Sequence, residues 1–124
     1  MKIYESAQDY LERILILNKA HGHVRSIDIA SNMGVTKQSV SRAMKNLRED
    51  GYINVDNNGY ITLTLKGLDV ANRMYERHTT MTKFFTTIGV PEEIALKDAC
   101  KIEHDISSET FEAIKQLLDQ LTNE

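Results

Sequence analysis

One cysteine, one proline and no apolar run long enough to cross a bilayer are the shortages of this 124-residue sequence, and each narrows what the chain can be. A single cysteine cannot close an internal disulfide, which fits a reducing compartment. With no signal-like N-terminus and no long apolar stretch, nothing directs the chain into or across a membrane, so a cytoplasmic protein without a membrane partner is expected. Internal repeats and low-complexity tracts are missing too, and the one proline, Pro91, sits where a helix would start instead of in a linker. The formal net charge of -3 and pI near 5.8 argue against indiscriminate binding to polyanions, although an acidic protein can still carry a local basic patch. A chain of this length makes one compact unit, or two small ones sharing a core, and leaves much surface for a partner subunit to cover.

What is present has a clear order. Ala7, Tyr10, Leu11, Ile14 and Leu17 follow helical spacing between Ser6 and Ala20, with Ser6 and Asp9 in an S-x-x-D capping pattern. After the "AHGHV" turn, "RSIDIASNMGV" reads as a short helix capped by Ser26 and ended by Gly34, whose backbone freedom suits a tight turn. A second helix from Thr36 to Glu49 buries Val40, Ala43, Met44 and Leu47. Helix, short turn, helix is the helix-turn-helix plan. Two β-rich runs, Tyr52 to Val55 and Tyr60 to Leu63, then flank Asn58-Gly59, a strong hairpin dipeptide, and predict a two-stranded wing. A long helix from Leu65 to Ile88 carries Met74, His78, Met81, Phe85 and Ile88 on one stripe. Gly89 ends it, Pro91 opens another helix, and Ser107 or Ser108 caps a last one whose Phe111, Ile114, Leu118 and Leu121 form a narrow apolar seam suited to subunit packing. The expected fold is mostly α: a winged helix-turn-helix domain over residues 1–64, then an all-α dimerisation domain over residues 65–124.

Charge follows this division. Residues 1–64 hold eight basic and seven acidic side chains, and residues 65–124 hold seven and eleven. Within the second helix of the helix-turn-helix, Lys37, Arg42, Lys45 and Arg48 occur before any acid. A run of charge is usually only a solvated face. Here it coincides with Thr36, Gln38, Ser39 and Ser41 near the helix N-terminus, where a recognition helix sets side chains against base edges and phosphates. Arg25, Thr36, Lys37, Gln38, Ser39, Ser41, Arg42 and Lys45, with Asn58 and Tyr60 on the wing, are therefore the expected contacts to a double-stranded DNA operator.

The stretch "DACKIEH" places Cys100, Glu103 and His104 at i, i+3 and i+4, within an arc of roughly 100° on a helix. A thiolate, a carboxylate and an imidazole so arranged can hold a transition metal. The plainer alternative makes Cys100 a small buried hydrophobe and leaves Glu103 and His104 in water. Asp9 has an ordinary use in the capping pattern, Glu12 could pair with a neighbouring cation, and a lone His78 on an apolar stripe is often a satisfied core residue. The combination carries more weight, because three separate helices each present donors, and an ion gathering them would tie the DNA-binding part to the helices behind it. Two rivals stand beside this reading. In one, Cys100 is a thiol redox sensor with a nearby histidine, weakened by the want of a resolving cysteine. In the other, Cys100 and His104 serve a small metalloenzyme or hydrolase, for which no oxyanion-donor loop is suggested. No enzyme activity and no small organic ligand are expected.

"SAQDYLERI", "SVSRAMKNLREDGYI", "YITLTLKG", "ERH" and "DACKIEH" occur in an order and spacing that resembles the diphtheria toxin repressor family, especially its shorter manganese transport regulator branch, over residues 4 to about 120. The resemblance implies a homodimeric, metal-activated repressor of metal-homeostasis genes that binds palindromic operators, with Mn2+ or Fe2+ as corepressor and Zn2+ or Co2+ as substitutes in vitro. Its manganese-type site corresponds to Asp9, Glu12, His78, Glu103 and His104. Cys100 departs from it: manganese regulators have a glutamate there, whereas the iron-responsive branch has cysteine there but methionine at the place of Asp9. Thr82 and Leu96 stand where the iron branch has a glutamate and a histidine for another metal site, so no such ancillary site is expected. A thiolate shifts preference from Mn2+ toward Fe2+, Co2+ or Zn2+, and loss of a bridging carboxylate leaves open one ion or two. His78 and Glu103, being polar, are expected to add little to the core of the metal-free protein.

Overall fold

The structure is a computed structural model that describes residues 5–123; residues 1–4 and 124, the outer ends of the two expected domains, lie outside the described residues. In chain order the elements are α1 (Glu5–His21), α2 (Ser26–Met33), α3 (Lys37–Glu49), β1 (Ile53–Val55), β2 (Ile61–Leu63), α4 (Leu65–Thr87), α5 (Glu92–Ile102) and α6 (Ser108–Thr122). The chain divides into two compact units, Met1–Arg73 and Met74–Glu124, and α4 begins in the first and ends in the second. The mostly helical architecture, with a helix-turn-helix, a wing and helices after it, is the one the sequence predicts.

The first unit collects the apolar positions of the amphipathic pattern. Leu11, Ile14, Ile29, Val40, Ile53 and Ile61 are all but inaccessible to water, and side chains of this size stabilise by about 1.5–3 kcal/mol each when fully buried. Local chemistry fixes the helix ends. α1 already includes Ser6, so Ser6 is not its cap and Asp9 is not the third residue of a capping box, contrary to the sequence expectation. α2 is likewise capped by Arg25 and not Ser26: the Arg25 backbone is extended, and its N–H donates to the Asp28 carboxylate at 2.9 Å. Gly34 closes α2 in the left-handed region (φ 67°), and Thr36 opens α3 by accepting the Ser39 N–H at 3.1 Å.

The wing is a short antiparallel pair with Asn54 opposite Thr62. Its turn differs from the expected two-residue Asn-Gly type, which needs positive φ at both central residues. Only Gly59 is positive (φ 81°), and the Asp56 carboxylate accepts the Asn58 and Tyr60 N–H groups, each at 2.9 Å. Asp56 thus organises a longer turn with a glycine bulge. One strand-like contact had no sequence signal: the Ile61 N–H donates to the Val24 carbonyl at 2.7 Å, fastening the segment between α1 and α2 to the wing. At the start of α4, the Thr64 hydroxyl donates to the Gly51 carbonyl (2.7 Å) and accepts the Gly67 N–H (3.1 Å). Gly67 lies against the Tyr52 carbonyl with no room for a Cβ.

The second unit packs Met81 of α4, Ala99 of α5 and Phe111 of α6 into a core flanked by Phe84, Phe85, Ile102, Ile106 and Ile114. This corrects the expected apolar seam of α6. Phe111 and Leu118 are buried and Ile114 is half-buried, while Leu121 stays exposed together with Tyr75, Ile88, Ile94, Leu96 and Leu117 of this unit. Ser107 caps α6, accepting the Thr110 N–H at 3.1 Å. α5 ends at Ile102, so Cys100 lies in its last turn, Glu103 at its C-cap and His104 just beyond.

Candidate metal centre and nucleic-acid interface

His78 on α4 and the end of α5 build the centre. The His78 Nδ1–H donates to Glu103 Oε2 at 3.0 Å, and the Cys100 sulfur stands 3.9 Å from the same nitrogen. Nitrogen, sulfur and carboxylate oxygen lie within 4.8 Å of one another, close enough for one ion to replace the proton between them. On the other side of the carboxylate, His104 Nε2 is 3.5 Å from Glu103 Oε1. Burial reverses the plainer alternative. Cys100 is exposed, whereas the Glu103 and His104 side chains are only 1% and 3% accessible.

Among the described residues the buried charged side chains are Glu12 and Glu103. A buried carboxylate is costly unless it is paired or bound to a metal, so two such groups at positions singled out as ligands need a chemical reason. The expectation that Glu103 adds little to the metal-free core is therefore corrected: it is among the most buried side chains, and its carboxylate is hydrogen-bonded to His78. Asp9 and Glu12 stand one turn apart on α1, Asp9 half-buried and Glu12 buried. Within the second unit, a thiol, two imidazoles and the Glu103 carboxylate form a mixed donor set fit for a first-row transition ion.

Arg77 was missed by sequence reasoning, although it stands inside the quoted "ERH". Its Nη1 donates to the carbonyls of Glu103 (3.1 Å) and Ile106 (2.7 Å). A cation next to a suspected metal-ligating histidine was the only signal, and it is a weak one.

On the first unit, the expected DNA contacts Lys37, Gln38, Ser41, Arg42 and Lys45 are exposed on α3, and Arg25 and Asn58 are exposed beside it in sequence order. Thr36 and Ser39 are exposed too, but their hydroxyls bond to each other at 2.9 Å as part of the α3 cap. Half-buried Tyr60 stacks on His23 (ring centroids 4.4 Å apart) and carries the Arg25 guanidinium 4.6 Å from its ring centre. His23, unremarked in the sequence, thus shares a cationic and aromatic platform at the wing root.

Comparison with known proteins covers both units. Residues 2–60 match the family model "Iron dependent repressor, N-terminal DNA binding domain", and residues 64–124 match "Iron dependent repressor, metal binding and dimerisation domain". An uncharacterised HTH-type transcriptional regulator of Methanocaldococcus jannaschii is 31% identical, the match covering 94% of each chain. The HTH-type transcriptional regulator MntR of Lysinibacillus sphaericus is 34% identical over 91% of this chain and 81% of its own. A solved manganese-dependent transcriptional repressor in complex with manganese superposes with a TM-score of 0.82 at 27% identity, over 90% of this chain and 52% of that one. This chain therefore spans about half the length of that solved repressor.

Proposed function

The chain belongs to the iron-dependent repressor family, DNA-binding transcriptional regulators and not enzymes, and from that premise we propose how its own residues sense a metal. His78, Cys100, Glu103 and His104 are the donors in the second unit, and Asp9 and Glu12 on α1 are further donors to the same centre. Residues 1–64 read DNA, and residues 65–124 bind metal and form the homodimer through Ile88, Ile94, Leu96, Leu117 and Leu121, five of the apolar side chains left exposed there. The observation that carries this reading is Glu103, a buried carboxylate with His78 at 3.0 Å and an exposed thiol beside that imidazole. The operator is double-stranded DNA, which sets the work of the protein in the cytoplasm.

A bound divalent cation supplies the positive charge against which Asp9, Glu12, Glu103 and the Cys100 thiolate can be gathered without mutual repulsion. The chain does the rest. Donors on α1 move with the DNA-reading unit, and donors on α4 and α5 move with the dimerising unit, so gathering them narrows the spacings the two recognition helices of a dimer can sample. Metal and operator must then strengthen each other's binding by the same factor. Cys100 decides which metal does this best. The family relatives named for manganese suggest Mn2+, but a sulfur donor favours Fe2+, Co2+ or Zn2+. The test is an anaerobic titration of Mn2+, Fe2+ and Zn2+ into the protein and into Cys100→Glu, followed by calorimetry and by binding to a duplex selected from a random pool. Metal should be required for tight binding, and Cys100→Glu should shift preference toward Mn2+. Equal binding without metal would overturn the reading.

A further inference from the structure

We infer that Arg77 is a positioning residue for the metal centre, holding the turn that carries Glu103 and His104 so that the donors converge before any ion arrives. The inference rests on the assignment of His78 and Glu103 as donors and extends it to a side chain that touches no metal. Arg77 and His78 are neighbours on α4, so their side chains leave the helix roughly 100° apart. Both end on the same target. His78 takes the Glu103 carboxylate at 3.0 Å, and Arg77 takes the Glu103 backbone carbonyl at 3.1 Å, so one residue is gripped by side chain and main chain from two directions.

The second Arg77 bond extends the grip across the turn. Nη1 also donates to the Ile106 carbonyl at 2.7 Å, so the guanidinium closes both ends of the segment from Glu103 to Ile106. These carbonyls follow the end of α5, where a helix leaves its last acceptors without intrahelical donors. Nη2 lies 3.5 Å from the Ser108 hydroxyl, and the guanidinium rests 5.5 Å from the ring centre of buried Phe111, so it is anchored on α6. Nη1 alone makes both carbonyl bonds, and the rest of the planar group reaches Ser108 and Phe111; lysine offers donors on one nitrogen of a flexible stem and lacks that second anchor.

Charge alone predicts the opposite. A guanidinium beside a cation site repels the incoming ion, so removing it would tighten metal binding, whereas losing a positioning contact weakens it. Outer contacts of this kind typically account for about 10–100-fold in metal affinity. The experiment compares the full-length protein with Arg77→Met, Arg77→Lys and, as a control for the underlying reading, His78→Ala. Co2+ serves as the probe, read by calorimetry and by its d–d absorption, while hydrogen exchange is followed at the Asp105 and Ile106 amides without metal. Expected are Co2+ binding about 10–100-fold weaker in Arg77→Met, a changed absorption envelope, and faster exchange confined to the turn. Arg77→Lys should recover only part of this, because it restores charge and donors without the planar anchor on Ser108 and Phe111. Unchanged or tighter Co2+ binding in Arg77→Met would overturn the inference, as would full recovery by Arg77→Lys or a loss that came only with general exchange across α5 and α6. Normal Co2+ binding by His78→Ala would instead sink the donor assignment itself.

Discussion

On α3 the side chains expected to meet DNA, from Lys37 to Lys45, stand in solvent and come from one continuous stretch. At the proposed metal centre Glu103 is 1% exposed, and its partner His78 lies 25 residues earlier in the chain. The first surface is an array of side chains on one helix; the second is a cluster around a buried carboxylate to which His78 is hydrogen-bonded. Substitution should therefore separate function from stability on α3 and couple them at the metal centre.

His78→Ala should show the largest effect. It should abolish metal-stimulated operator binding and also lower the stability of the metal-free protein by about 1–3 kcal/mol, because a buried carboxylate loses its closest partner. Denaturant unfolding without metal checks the second part. An unchanged midpoint would mean that the pair contributes nothing before metal arrives, and the contrast with α3 would lose one of its legs. Gly67→Ala tests stability alone. Its methyl group would meet the Tyr52 carbonyl, a backbone atom with little freedom to move, so overpacking should cost about 1–3 kcal/mol in thermal unfolding while metal affinity stays near that of the parent. A neutral Gly67→Ala would show that the α4 start shifts more easily than its bonds to Gly51 and Thr64 imply.

The α3 side of the comparison is sharpened by Gln38→Ala and Arg42→Ala. Each should weaken operator binding by about 1–3 kcal/mol if it reads a base, with stability held within about 0.5 kcal/mol, as for exposed positions generally. Calorimetric metal affinity in free protein should not move. If Gln38→Ala kept both affinity and base preference, this face would not read sequence. Lys45→Ala should act less selectively, reducing the salt dependence of binding by one phosphate contact.

The same contrast explains what was legible in the sequence. Recognition-helix positions follow from periodicity and local charge, because an amphipathic helix declares its wet face in consecutive residues. Cys100, Glu103 and His104 could be grouped for the same reason, but their burial could not be foreseen: the exposed member is the apolar thiol, and the buried ones are polar. Packing against distant segments decides that. It also turned Phe111 inward from the expected seam, recruited Arg77 to the turn after α5, and joined Val24 to β2. Cap positions shifted by one residue at α2 because the Arg25 N–H found the Asp28 carboxylate, a contest between neighbouring polar groups that a motif does not settle.

The smallest expected effect lies where the two kinds of surface meet in one residue. Thr36 was expected to contact DNA, and it is exposed, yet its hydroxyl accepts the Ser39 N–H at 3.1 Å and bonds to the Ser39 hydroxyl at 2.9 Å. A hydroxyl so engaged has little left to offer a phosphate. Thr36→Ala should cost about 1 kcal/mol of stability through loss of the cap. Its effect on operator binding should be smaller than that of Gln38→Ala and should act by fraying the first turn of α3. Thr36→Ser separates the roles, because serine keeps the capping oxygen: it should restore unfolding and operator binding together. Restored stability without restored binding would instead make the Thr36 methyl a contact in its own right, and the first turn of α3 would then both build the helix and read DNA.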